Sequence, residues 1–308
     1  MSTVPANTAA TEPVTGPDAR PVTGPDAPIE GGRVPPMLKR ALAYAVLVVF
    51  ACFYIFPFLI EIGTAFKTDP DATANAMNPI PKTWTTDAFR RLADANFDRW
   101  FANSVIVALF VTAGRLFFDS LAGYALARLH FRGRKAIGAA VIAVMAVPGV
   151  VLLIPKYLVL VQLHMYDHYA GMIIPLMADA AGVFIMRQFF ISIPVEIEEA
   201  ARIDGAGTFR VFWSVVLPMA RPALITLTIL SFQGSWNEYA HFLVATQSPD
   251  LKTLTTGVGG LVSGQLSAGN QFPIKLAAAT LMTIPVAAVF FIFQRYFIRG
   301  ATAGAVKG

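Results

Sequence analysis

Three glutamates, Glu196, Glu198 and Glu199, fall together in the stretch IPVEIEEAARIDGAGTFRVFWSVVLP, Ile193 to Pro218. Clustered carboxylates can serve acid–base chemistry, but no Ser-His-Asp, Cys-His or paired-carboxylate arrangement accompanies them, and no catalytic site is expected. Their position suggests another use. Pro194 suits the first turn of a helix, where a missing N–H has no partner to lose, and the glutamates place negative charge near the positive end of the helix dipole. Gly205 and Gly207 stop that helix. Thr208 is placed to N-cap a second helix reaching Val216, which Pro218 ends before an apolar stretch resumes near Pro222. Ala200, Ala201 and Ala206 keep the elbow slim enough for a groove to grip. The pattern reads as helix, tight turn and helix on a membrane face, although a solvated amphipathic loop fits the charges equally well.

Other polar residues sit inside apolar surroundings. Arg115 and Asp119 are one helical turn apart and are expected to pair, softening the cost of burying either charge. Structural pairing or contact with a partner subunit is the leading reading for them, ahead of direct contact with a ligand. Gln233, Ser235, Asn237 and Glu238, with the flat aromatic faces of Trp236 and Tyr239, supply groups of the kind that bind sugars and as a set are the best candidates for lining a ligand path; helix packing and an interfacial aromatic belt compete for each one. His164, Asp167 and His168 have metal-like spacing in a short turn, yet a solvated loop is the stronger reading and no metal site is expected. Gly257 to Gly264, GVGGLVSG, reads as a flexible external loop.

These residues need a scaffold, and composition says what kind. The 308 residues are 56% hydrophobic and 14% charged, with a mean hydropathy of +0.59. That leaves too little polar surface to cover a water-soluble globule. Six apolar segments are long enough to cross a bilayer: 41 to 64, 101 to 128, 136 to 160, 168 to 190, 222 to 245 and 273 to 296. Pro148, Pro155 and Pro175 interrupt the third and fourth. The net charge of +5 reads as topology and not as nucleic-acid binding. ARLHFRGRK, after the second segment, carries Arg128, Arg132, Arg134 and Lys135, whereas QLHMYDHYAG, after the third, carries no Lys or Arg. The first loop is therefore expected inside, with both termini and the glutamate-rich stretch. Two copies of PVTGPDA mark residues 1–36 as a disordered tail, and Cys52 offers no intramolecular disulfide. Domains are expected as that tail, an all-α transmembrane body over 37–298 with the loop at 193–218, and a short cytoplasmic tail over 299–308.

Glu199-Ala200-Ala201, then Asp204-Gly205, Val215 and Leu217-Pro218, resembles the EAA motif of bacterial ATP-binding-cassette (ABC) importer permeases, with Val215 where isoleucine is usual. GYALARLHFRGR, MRQFFISIP, GSWNEY and QRYFIRGATAGAVKG resemble the carbohydrate permeases of the maltose-transporter kind, specifically the shorter of the two partners. The resemblance covers about residues 37 to 308. It implies a type I importer permease fold, six transmembrane helices, and a multi-pass protein of the bacterial plasma membrane surrounded by lipid. It further implies a second permease, two copies of an ATP-binding subunit, an extracytoplasmic solute-binding protein and a carbohydrate substrate. No G-x-x-x-x-G-K-S/T loop occurs, so ATP and magnesium are expected on the partner and no cofactor on this chain. Its first loop helix is then the coupling helix seated in the ATPase, with Gly205 allowing the turn. A stand-alone secondary transporter is the alternative, but it calls for more buried ionisable groups than the Arg115 and Asp119 pair.

Overall fold

The computed structural model describes residues 36–263 and 271–305. The repeat-bearing tail (residues 1–35), residues 264–270 and the last three residues lie outside the described residues. The chain divides into two compact units, Met1–Phe53 and Tyr54–Gly308, and the second contains every element after the first helix.

The described residues are mostly helical, with no strand among them. The opening helix α1 (Pro36–Ala65) is followed by two short helices, α2 (Asp69–Ala74) and α3 (Asp87–Asp94), and by the long α4 (Phe97–Arg128). Next come α5 (Arg134–Met145), α6 (Leu153–Gln162), α7 (Tyr169–Ile173) and α8 (Ala180–Ser192). The loop elements α9 (Val195–Ile203), α10 (Thr208–Val211) and α11 (Leu217–Met219) lead into α12 (Arg221–Trp236), α13 (Ala240–Ala245), α14 (Leu254–Ser263) and α15 (Phe272–Ala305). Among the described residues four helical stretches are long and apolar enough to cross a membrane, or up to six if two sharply bent pairs each count as one span.

Central to the packing is α4. Asn103, Val107 and Val111, and further along Ser120, Tyr124 and Ala127, recur every three or four residues and are buried, the stripe by which a helix faces a core. Helices α8 and α12 pack along it. At one end Val107 and Val111 join Leu160, Met172, Leu176 and Phe242; at the other, Tyr124 and Ala127 join Met186, Phe190, Phe212 and Val216. Ala65, Leu92 and Ile274 form a separate cluster that ties α15 to the segment following α1. Large apolar side chains such as Val150, Ile154, Leu230 and Phe291 stay exposed, as expected where hydrocarbon and not water is the solvent.

Three expectations change. The third segment is not one straight span: α5 and the helical stretch Gly149–Gln162 bend by 102° at a break containing Pro148, because proline removes an N–H and disfavours helix in the residue before it. The fifth is divided, since α12 ends at Trp236 and α13 restarts at Ala240. The glycine-rich stretch from Gly257 is helical, in α14. A Cβ on Gly257 would lie 2.2 Å from Trp100 Cδ2 and one on Gly259 2.8 Å from Tyr239 Cε2, so glycine here serves close packing.

Candidate coupling site

The glutamate-rich stretch folds as helix, turn and helix, with its ends set one residue away from the expected positions. Pro194 is the N-cap of α9 and Val195 its first residue. Gly205 adopts φ +82°, and the amides of Gly205 and Ala206 donate to the carbonyls of Arg202 and Ala201, both at 3.0 Å. This closes α9 in the left-handed manner that glycine allows. A Cβ at Gly205 would meet no atom of this chain within 4 Å, so inside the chain only φ demands glycine. Gly207, and not Thr208, caps α10. Pro218 lies in the first turn of α11 and does not end the helical run; between α10 and α11 the backbone widens to a π-helix over Phe212–Val216.

The three glutamates part company. Glu196 and Glu199 are exposed, while Glu198 is 2% exposed. Its carboxylate meets Arg128 Nε at 2.8 Å in a contact ion pair and accepts from the Tyr124 hydroxyl at 3.0 Å. Arg202, one turn along α9, lies at 3.7 Å. The guanidinium of Arg128 also donates to the Ile193 carbonyl. Tyr124 and Arg128 are one turn apart at the end of α4, so a single helix face delivers both groups to α9. Arg134 completes the corner by donating to the carbonyls of Leu126, Ala127 and Leu129, which satisfies α4's last acceptors with a cation at the negative end of its dipole. Beneath them Tyr124, Phe190 and Phe212 form a three-ring cluster with centroids 5.0 to 6.3 Å apart. The loop is thus anchored to α4 by charge and to α4 and α8 by packing.

Outward, Glu199, Ala200, Asp204, Gly205 and Pro218 are exposed, and Ala201 and Leu217 are half-buried. Beside them Ile203 is 87% exposed, and the exposed rings of Phe209 and Trp213 stack within 9° of parallel. Together these side chains form an exposed apolar patch on the elbow. Neither the Glu198–Arg128–Tyr124 anchor nor this patch belonged to the expected site. The spacing of Tyr124 and Arg128 was visible, but nothing in a linear sequence pairs them with a glutamate 70 residues on.

At the end of α12 the candidate path residues divide by accessibility. Gln233, Asn237 and Tyr239 are exposed, Glu238 is half-buried, and Ser235 and Trp236 are buried. Trp236 donates to the Met282 carbonyl at 3.1 Å and packs against Phe101 and Phe232, so it ties α12 to α15. Glu238 accepts from the His241 amide at 2.8 Å, which positions the start of α13.

Arg115 and Asp119 do not pair. Arg115 Nε donates to the Leu176 carbonyl at 2.8 Å, whereas Asp119, fully buried, accepts from the Asp179 amide at 2.9 Å. Both side chains hold the segment that leads into α8. Gly182 makes room there, since a Cβ on it would lie 2.0 Å from Asp119 Oδ2. Asp167 accepts from the Gln247 and Ser248 amides, both at 2.9 Å, and from the Ser248 hydroxyl, while His168 Nδ1 faces the Tyr166 carbonyl. Those groups bind loop to loop. Ser248 first, then the two amides, hold the Asp167 carboxyl below the ordinary carboxylate range.

A helical body with several membrane-length apolar helices and an exposed helical elbow between two of them fits a membrane permease subunit. Residues 119–302 match the family described as binding-protein-dependent transport system inner membrane component. The chain is 32% identical over 259 residues to the arabinooligosaccharides transport system permease protein AraQ of Bacillus subtilis (strain 168), covering 83% of this chain and 91% of that protein. It is 31% identical over 264 residues to the sn-glycerol-3-phosphate transport system permease protein UgpE of Yersinia enterocolitica, covering 83% and 94%. A solved bacterial ABC transporter involved in the import of the acidic polysaccharide alginate contains a chain with TM-score 0.74 and 25% identity, over 85% of this chain and 97% of that one. The chain belongs to the binding-protein-dependent transport system inner membrane components: it is a multi-pass permease subunit of an ABC importer.

Proposed function

We propose that this permease carries a sugar or sugar-like solute, and that its elbow from Pro194 to Pro218 couples that transport to a separate ATPase. The observation that carries the reading is the elbow itself: an exposed EAA-type surface on α9, the left-handed turn at Gly205, and an anchor that ties α9 to a long membrane helix. Glu199, Ala200, Ala201, Asp204, Gly205, Leu217 and Pro218 are its coupling residues, joined by Ile203, Phe209 and Trp213 as the apolar contact. Two ATP-binding subunits supply ATP and magnesium sites. A second permease completes the path, and an extracytoplasmic binding protein delivers the solute. Six spans, with both bent segments crossing, put the termini and elbow in the cytoplasm, consistent with the basic loop after α4. Gln233, Asn237 and Tyr239 are the exposed members of the candidate set and face the path. Relatives named for arabinooligosaccharide and glycerol-phosphate transport support a polyhydroxylated solute.

Copurification with the ATP-binding subunit, followed by binding-protein-stimulated hydrolysis, tests the coupling. Gly205→Asp and Glu199→Lys should insert normally and lose association or stimulation, whereas Gly205→Asn, uncharged and tolerant of left-handed φ, should retain more. Full uptake by both charged variants would refute the assignment. A thermal-shift screen of the cognate binding protein identifies the solute.

A further inference from the structure

A cavity of about 950 Å³ opens beside the corner where α4 ends, bounded by α5 and α8. His130, Arg134, Lys135 and Arg187 line its basic part, and no carboxylate lines any of it. Arg134 is committed to three carbonyls of α4. Arg187 is half-buried, and among the described residues neither its side chain nor that of Lys135 has a hydrogen-bond or ion-pair partner. A guanidinium partly withdrawn from water without an acceptor calls for an anion.

The rest of the wall is apolar and shallow-sided. Ala136, Gly138, Ala139 and Ile142 face the cavity from α5, a helix with no buried residue. Its 12 residues extend about 18 Å at 1.5 Å each, close to the depth of one leaflet, half of a hydrocarbon core of about 30 Å. The chain then turns sharply away. A basic group at the end of the spans above a leaflet-deep trough of small residues matches one ligand chemistry: a phosphate carrying an acyl chain.

We propose that this cavity binds one anionic phospholipid, its phosphate between Arg187 and Lys135 and an acyl chain along Ala136, Ala139 and Ile142. A soluble phosphate would leave the trough empty, and a protein segment would have to bring its own acid to Arg187. The site adjoins the Arg134 cap, so the bound headgroup sits next to the end of α4 that anchors the elbow.

The test uses the complex copurified with its partner subunits, delipidated in detergent and titrated with phosphatidylglycerol or phosphatidylcholine, with bound lipid read by native mass spectrometry. Wild type should retain phosphatidylglycerol on the order of tenfold better, and Lys135→Gln with Arg187→Gln should bring the two lipids close to parity. Ile142→Trp, which fills the trough and spares the cations, should exclude both lipids at this site. Unchanged phosphatidylglycerol retention in the cation variant or in Ile142→Trp would overturn the proposal. So would equal competition by glycerol phosphate, which would make it a soluble-anion site. A photo-crosslinker replacing Ile142 should attach to lipid; attachment to the second permease would make the cavity a subunit interface and would also overturn it.

Discussion

Glu198→Gln keeps the size of the side chain and removes its charge. It strands Arg128, whose side chain is 10% exposed, with only the Ile193 carbonyl as a partner. Breaking a buried ion pair from one side costs about 3–5 kcal/mol. The residual carbonyl contact and the ability of glutamine to accept from Tyr124 place the expected loss near the lower limit, about 3 kcal/mol. Arg202, half exposed at 3.7 Å, contributes less than about 1 kcal/mol. Tyr124→Phe should cost about 1.5–3 kcal/mol, because its hydroxyl donates to a charged acceptor. The double change Arg128→Met with Glu198→Leu removes both charges and should be milder than either single change, giving a coupling of at least about 2 kcal/mol. Thermal unfolding of the purified complex measures the cycle, and binding-protein-stimulated ATP hydrolysis measures the consequence for the elbow. Strict additivity, or a Glu198→Gln loss under about 0.5 kcal/mol, would refute the claim that this pair anchors α9.

Two further outcomes follow from hydrogen bonds elsewhere. Because Arg115 and Asp119 serve different partners, Arg115→Ala and Asp119→Ala should each destabilise, and their double-mutant coupling should stay below about 1 kcal/mol; a large coupling in thermal unfolding would restore the ion pair. The Asp167 carboxyl is depressed, so its contribution is complete above the ordinary carboxylate value and fades as pH falls through the lowered one. Amide exchange at Gln247 and Ser248 should therefore be faster in Asp167→Asn than in wild type at neutral pH, with the two converging in acid; a gap independent of pH would contradict this.

Much of this was legible because bilayer crossing and helix punctuation are written locally. Apolar length located most of the membrane-length helices, and the Gly205 turn followed from glycine type and spacing alone. What escaped was decided by partners distant in sequence. Prolines were visible in the third segment and mark a break there, but they do not fix its angle, 102°. GVGGLVSG reads as a loop by composition, and only Trp100 and Tyr239 lying against it explain why a helix needs glycines there. The spacing of Arg115 and Asp119 suggested a pair, yet backbone groups of the following segment offered each a better partner. Glu198 stood among three similar glutamates, and its distinction comes from α4 reaching it with two side chains from one face.

Helix α4 is continuous over 32 residues, about 48 Å at 1.5 Å each, and holds no proline. Near its beginning Asn103 donates to the carbonyls of Asp250 and Lys252, and Ser104 accepts from the Leu254 amide; at its end Tyr124 and Arg128 hold α9. One continuous helix therefore holds the 250–254 segment near its start and α9 at its end. A displacement of the 250–254 segment and one of α9 would both be felt by this helix, and any coupling it carried between them would be equal in both directions.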